Sequence, residues 1–373
     1  MRVAVVGGGI VGLFAAWYLE REGVDVTLFD EKGPGAGSVH AAGIIEAGTS
    51  YPTNTIAFLR RVWRFWRVGT CTFRRVDGAW LVESLHQLER PLPAGSEAAL
   101  RELSDTSMAE YEALAQQKND FDYTKRGLVE RYDDPEHFAE EKARALSRRE
   151  VVPVEVREGE GSAGALFFPE MAWLHTERFV ERMVRELTKT TTIRQRVQRV
   201  ELDGTVSTGT STSQFDAVTV CTGVSCRRLG IPLTGVRGYG WHVRTRGSVD
   251  RATIFVDRGI AVVPFANEAK VTGGWDFDLT TAPFHTQSVL DAVRQIVPIE
   301  TILDFKQGSR PCTPDGLPTV GKNGRVVVST GGFRLGWSFA PALGRHAALL
   351  CLDRTRNDPF LARFCTSLRS GSP

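Results

Sequence analysis

The chain has 373 residues, 42% hydrophobic and 24% charged, with a formal net charge of +2. That length is more than one core usually supports, so two structural units of ordinary globular composition are expected. A balance this near neutral, with no basic stripe interleaved with aromatics, excludes a general attraction to nucleic acid.

The first apolar run, 3–6, reads as a buried strand that stops at Gly7-x-Gly9-x-x-Gly12, ahead of a helical pattern over 13–21. Gly7 permits a tight turn, Gly9 lets the backbone approach a pyrophosphate, and Gly12 lets helix and strand pack closely. The free N–H groups and positive end of that helix then face the phosphates. A second apolar run, 24–29, ends at Asp30, about 20 residues beyond the glycines, where a carboxylate accepts hydrogen bonds from a ribose. Glu31 is the neighbouring alternative. These features predict a dinucleotide site without specifying the dinucleotide.

The Gly/Ala-rich loop 33–45 carries Ser38 and His40, and its small residues let the backbone wrap something bulky. Ser38 is suited to a phosphate. His40 is suited to lie against a redox ring or to be attached to it, unless it is an incidental loop histidine. Residues 56–67 form an amphipathic pattern, with Phe58, Leu59, Val62, Phe65 and Trp66 on one stripe and Arg60, Arg61, Arg64 and Arg67 mostly opposite. The favoured reading packs the stripe on the protein's own core with the arginines outward; a helix lying on a membrane surface is the less favoured one. Residues 71–83 read as a hairpin about Asp77-Gly78.

Residues 98–117 and 134–149 are polar and helical and show no chemistry. Thr176 is expected to cap a helix over 177–188, which leaves His175 a structural role. Strands are expected at 194–202 and 215–221, the second ending at Thr222-Gly223, where backbone can come close to a nucleotide. Alternating segments at 237–246, 252–257 and 260–265, followed by 271–275, predict an antiparallel sheet in a second unit. Tyr239, Trp241, Trp275 and Phe277 are candidates to wall an apolar pocket there.

The stretch 308–318, Gly-Ser-Arg-Pro-Cys-Thr-Pro-Asp-Gly-Leu-Pro, precedes a strand at 325–329. Thr330-Gly-Gly332-Phe-Arg334-Leu335-Gly336-Trp337 and a helix at 341–352 follow. Glycines between strand and helix again gather N–H donors and a positive dipole end, which would stabilise a redox ring that becomes anionic. The six cysteines form no C-x-x-C pair and no zinc or iron–sulfur spacing, so no metal is expected. With no leader ahead of the first strand and no apolar run near the ~20 residues that span a bilayer, the expected location is cytoplasmic, peripheral to a membrane at most.

Together these motifs resemble the D-amino acid oxidase superfamily of FAD enzymes, which includes glycine and sarcosine oxidases. The matching residues are Gly-Gly-Gly-Ile-Val-Gly-Leu with Asp30, Thr222-Gly223, Arg310-Pro with Thr-Pro-Asp-Gly-Leu-Pro318, and Arg334-Leu-Gly-Trp-Ser-Phe-Ala-Pro341. The closing Leu-Gly-Trp-x-x-Ala-Pro and Val236-Arg-Gly-Tyr239 are most similar to the D-amino-acid dehydrogenase branch, near the dye-linked D-proline dehydrogenases. Ala41 stands where that branch has Asn, and Gly332-Phe333 replace a His-Gly.

The resemblance implies an α/β fold: a discontinuous Rossmann-like FAD-binding domain (1–80, 150–225 and 305–373) with an inserted α+β substrate domain (81–149 and 226–304) on a mixed or antiparallel sheet. It implies FAD contacts from Gly7, Gly9, Ile10, Val11, Gly12, Asp30 or Glu31, Ser38, His40, Ala42 and Gly43. Further contacts would come from Val197, Thr222 and Gly223, and from Arg310, Gly332, Arg334, Leu335, Gly336 and Trp337. The implied reaction is hydride transfer from the α-carbon of a small amino acid to flavin N5, with electrons passed to a quinone, dye or oxygen. Arg310 would hold the substrate carboxylate, Tyr239 would add a hydrogen bond, and Trp241 and Trp337 would form walls. A glycine/sarcosine-type oxidase and a flavin-bearing electron-transfer subunit are the alternatives.

Overall fold

The computed structural model describes residues 1–46, 52–247, 249–280, 284–365 and 368–373. Its first sheet has six strands in the order Thr319–Asn323, Val326–Thr330, Ala217–Val220, Arg2–Val6, Asp25–Phe29, Thr191–Ile193, parallel but for the first pair. The inner strands are nearly all Val and Ala and are buried on both faces, as a covered parallel sheet requires. Helices Ile10–Arg21 and Gly336–Cys351 pack together on one face, where Gly344 lies so close to Phe14 that a Cβ would come within 2.5 Å of it. A three-stranded antiparallel meander, 197–214, rides on this unit.

The second sheet has nine strands. Its path runs Ile299–Cys312, Thr234–Thr245, Ala269–Asp278, Ile260–Pro264, Ala252–Phe255, Leu128–Tyr132, Gly164–Phe168, Glu155–Glu158, and Phe73–Arg75 pairs with Ala269–Asp278 off that path. Two of its pairings are parallel and the rest antiparallel, so it is a mixed sheet. Helix Thr286–Arg294 covers one face through Val289, Leu290 and Val293, which pack with Tyr239, Trp241 and Val243.

Several elements depart from the sequence expectation. Residues 71–83 are not a hairpin: after Phe73–Arg75, Asp77 accepts a hydrogen bond from Trp80 N (3.0 Å) and caps helix Gly78–His86. An Asp ahead of a helix serves as an N-cap as readily as it starts a turn. The last long helix begins at Gly336, five residues early, and keeps Pro341 inside it. Proline removes the N–H that would bond the Trp337 carbonyl, and the Tyr111 hydroxyl donates to that carbonyl instead at 2.8 Å. His175, not Thr176, caps Thr176–Glu186.

Strands Phe73–Arg75, Glu155–Glu158 and Gly164–Phe168 join the nine-stranded sheet. Helix Ser96–Gln117 packs on Gly336–Cys351, with Ser107 Oγ accepting from Ala342 N.

Helix Ile56–Arg67 is oriented unlike the expectation. Val62 and Phe65 are buried, but Leu59, Trp63 and Trp66 face solvent. Arg61 and Arg64 turn inward to Glu141 (3.0 Å) and Asp134 (3.3 Å). Glu141, buried on helix Pro135–Ser147, and Asp134, partly exposed at its N-cap, supply those partners.

Candidate functional site

The first glycine turn leaves no room for side chains. A Cβ on Gly7 would meet the Cys221 carbonyl oxygen at 2.7 Å, and one on Gly12 would meet the Gly7 carbonyl oxygen at 1.9 Å. Asp30 organises the turn: its Oδ2 accepts from Gly8 N (2.8 Å), and its Oδ1 accepts from Lys32 N and Gly33 N. Glu31 is exposed. Ser38 Oγ accepts from Ile10 N at 3.0 Å, the first N–H of helix Ile10–Arg21.

Beside this turn lies a cavity of about 200 Å³ lined by residues of the nine-stranded sheet and by the loops and helix starts that follow strands of the six-stranded one. Two helix starts, Ile10 and Gly336, reach it, and a Cβ on Gly336 would have nothing within 4 Å. Trp337 Nε1 donates to the Ser38 carbonyl at 3.1 Å, and Arg334 pairs with Glu46 at 2.7 Å. The termini of the chain thus meet at one wall.

The opposite wall comes from the nine-stranded sheet, and its register explains its shape. Val236 lies opposite Arg310 and Gly238 opposite Gly308, so 236, 238 and 240 face the site while 237, 239 and 241 face away. A Cβ on Gly238 would stand 2.3 Å from Arg310 Nη2, and one on Gly240 would stand 2.6 Å from the His40 carbonyl. Two alternating glycines make the floor on which Arg310 and the His40 loop rest.

Arg310 Nη1 donates to the Gly274 carbonyl at 2.8 Å, and its guanidinium lies 5.2 Å from the Trp275 ring centre. Its accessible area opens only partway, and into the cavity it lines. Among the described residues it has no ion pair. Burial pushes its pKa down to about 10, and the charge of Asp276 offsets this only in part. A desolvated cation facing a cavity is an anion-binding group. His40, 6% exposed, is held neutral with its pKa lowered to about 3 by burial and by the Arg310 and Lys270 charges, and its Nδ1 has no partner among the described residues.

Of the predicted residues, Ile10, Ser38, His40, Ala42, Gly43, Arg310, Arg334, Gly336 and Trp337 line the cavity, as do Ala41, Trp275 and Phe333. Gly7, Gly9 and Gly12 meet at the strand ends with Cys221-Thr222, and Thr330 Oγ1 holds the Gly223 carbonyl at 3.0 Å. Leu335 and Val197 are core residues of the clusters on opposite faces of the six-stranded sheet, and Val11 packs against the Leu335 cluster. A Cβ on Gly332 would press on Gly336 at 2.8 Å, which holds the second turn tight.

Tyr239 and Trp241 are not among the residues that line the cavity. They lie on the far face, packed under helix Thr286–Arg294, with the Tyr239 hydroxyl donating to Asp276 Oδ2 at 2.7 Å. The signal for the site face was the period-two glycines at 238 and 240, not the aromatics between them.

Sequence reasoning missed the cavity's charged end: Glu46, Arg61 and Glu130. Burial raises the Glu130 carboxyl, although Tyr132 hydrogen-bonds it at 2.7 Å. Their spread over three distant segments leaves no local pattern. Behind the His40 loop, His175, His242 and Glu268 bring ligand-type atoms within 4.8 Å of one another. Glu177 and Glu268 already partner their ring nitrogens, and Lys270 bonds Glu177 and the Val39 carbonyl. Those hydrogen bonds hold Glu177 ionised against the cost of its burial.

Two glycine-bearing turns at helix starts, an apolar wall of Phe65, Trp275 and Phe333, and, among the described residues, a buried imidazole nitrogen without a partner and a guanidinium without an ion pair fit a flavin dinucleotide. They define the class: a Rossmann-type flavoprotein with a covered pocket. The chain belongs to the FAD dependent oxidoreductase family, whose match extends over residues 2–350. It is 36% identical to the D-proline dehydrogenase of Pyrobaculum islandicum over 367 residues, 97% of this chain and 99% of that protein. The glycine oxidase of Geobacillus kaustophilus shares the fold (TM-score 0.73, 21% identity, 97% of this chain and 99% of that one). So does the L-proline dehydrogenase of P. horikoshii (TM-score 0.67, 17% identity, 96% and 95%).

Proposed function

We propose that the chain oxidises a small D-amino acid, D-proline first among them, to the imine and passes the electrons to an external acceptor. The Arg310 guanidinium, set over the Trp275 ring at the cavity and without an ion pair among the described residues, is the observation that supports a carboxylate substrate. The 36% identical D-proline dehydrogenase supports the side chain and hand.

The roles proposed for individual residues follow from placement. Gly7, Gly9 and Gly12 with Asp30 would hold the ADP half of FAD, and the loop 38–43 with Arg334 and Gly336 would hold the ring end. Bound FAD supplies the two-electron acceptor for the α-carbon hydride. Arg310 fixes the substrate carboxylate by a bidentate fork, which sets the α-carbon in one place. Phe65, Trp275 and Phe333 exclude water from it. Among the side chains nearest Arg310, His40 is neutral but has no partner at Nδ1, and a hydride donor with a neutral amine needs no protein base. Residues 1–46 and 313–351 would form most of the FAD unit, and the nine-stranded sheet the substrate unit.

The test is dye reduction with paired D- and L-amino acids. The reading requires D-proline or another small D-amino acid to be the best substrate, with Arg310→Ala lowering kcat/KM by about 2–4 kcal/mol, roughly 30- to 1000-fold. Equal turnover of both hands, or an unchanged kcat/KM in the variant, would refute it.

A further inference from the structure

Exposed large hydrophobic side chains are not scattered over this molecule. Of the sixteen among the described residues, nine fall within 56–85: Ile56, Leu59, Trp63, Trp66, Val68, Phe73, Leu81, Val82 and Leu85. Trp63 and Trp66 are each more than half exposed, at 53% and 57%. An outward row at i, i+3, i+7 and i+10 of helix Ile56–Arg67 is a deliberate face, since large apolar patches on a monomer mark a contact surface.

Helix Gly78–His86 extends the patch. Its Trp80 is buried in the same cluster as Val62 and Phe65, so both helices ride on one apolar base. Their ends are tied: Asn54 Nδ2 donates to the Gln87 carbonyl at 2.8 Å, and Glu89 Oε1 accepts from Ile56 N at 2.6 Å.

The charge around the patch selects the partner. Residues 56–90 hold seven arginines against three acids, in a chain whose net charge is only +2. Arg61 and Arg64 are spent on inward acids, but Arg60, Arg67, Arg74 and Arg75 are exposed, Arg60 with only an exposed, 3.8 Å pairing to Glu140, and Arg67 lies 4.8 Å over the Trp63 ring. A second copy meeting this face about a twofold axis would set the two basic rims against each other. A convex helix with outward tryptophans and flanking arginines suits a deformable anionic layer, with rings at headgroup depth and guanidinium groups on phosphates. No helix among the described residues is long and apolar enough to cross a membrane, so the contact is one of lying on the surface.

We propose that helices Ile56–Arg67 and Gly78–His86 form a docking face for an anionic lipid surface. The same helix roofs the cavity: Arg61 and Phe65 line it from the inner side, so docking places the site one helix thickness from the headgroups. The face is independent of which amino acid is oxidised.

Flotation of the FAD-loaded enzyme with vesicles tests this. The wild type should float with phosphatidylglycerol vesicles, stay behind with phosphatidylcholine vesicles, and lose binding as salt rises. Trp63→Ser with Trp66→Ser should weaken flotation roughly tenfold or more while flavin content and dye-reduction rate stay at wild-type values. Arg60→Gln with Arg67→Gln, which leaves the apolar face intact, should weaken it by about tenfold. Failure of the wild type to float with the anionic vesicles would overturn the proposal, as would undiminished flotation of both double variants. A dimer in solution that the tryptophan variant splits would assign the face to a second copy instead.

Discussion

At the scale of the residue, the Arg310 guanidinium is desolvated, has no ion pair among the described residues, and lies where an anion would relieve it. Removing Arg310 should therefore separate stability from function. Arg310→Met should keep or raise the Tm of the ligand-free enzyme, because a desolvated charge without an ion pair is costly, while lowering kcat/KM as far as Arg310→Ala does. The oxidation-proof carboxylate pyrrole-2-carboxylate should raise the wild-type Tm, by about 2.7 kcal/mol of stability at a hundred times its Kd, and leave the variant unmoved. Calorimetry of both proteins decides it. Tyr239→Phe does the reverse: losing a buried bond to Asp276 should cost about 1–3 kcal/mol of stability with kcat/KM within roughly threefold of wild type. Two histidines give pH slopes of opposite sign. His40 ordinarily titrates at 6.5 and falls to about 3 in the fold, so its contribution is complete above 6.5 and is lost as pH falls toward 3. In His137 the bonds to Asp257 and Glu141 outweigh burial and raise the pKa, so its contribution is present below 6.5 and lost as pH rises beyond it. A Tm–pH profile of His40→Asn should be flatter than wild type on the acid side, and that of His137→Asn flatter on the alkaline side.

At the scale of the element, the two glycine turns carry the account and were also the most legible features. Gly7, Gly9 and Gly12 announce themselves because strand, turn and helix are contiguous in sequence and the constraint is local. Gly12→Ala would drive a Cβ to 1.9 Å from the Gly7 carbonyl, so the variant should purify without FAD and show no visible absorption. Gly240→Ala should do so less completely, because its 2.6 Å conflict with the His40 carbonyl is milder than the 1.9 Å conflict at Gly12. What sequence periodicity did not reveal was which face of Thr234–Thr245 looks at the site. Both faces of that strand are buried, so hydrophobicity marks neither, and a shift of register between 237 and 239 obscures the alternation further. The orientation of Ile56–Arg67 was equally hidden: its inward arginines depend on Glu141, Asp134 and Asp257, acids some 70 or more positions away whose pairing no local pattern encodes.

At the scale of the whole molecule, a parallel sheet built from both ends of the chain presents its glycine turns to a second, mixed sheet, and the cavity lies where they meet. The fold class followed from the contiguous strand–turn–helix signals, but the strand membership of 73–75 and 155–168 did not, because long-range pairing decides it. The central claim is that this junction takes the electrons of a small D-amino acid held at Arg310. Anaerobic mixing of the yellow holoenzyme with D-proline, followed in the visible flavin band, tests it most directly. Bleaching with D-proline, absent with L-proline and slowed by roughly 30- to 1000-fold in Arg310→Ala that still carries its FAD, is the predicted result. A wild-type flavin that keeps its colour through a panel of small D-amino acids would contradict the account.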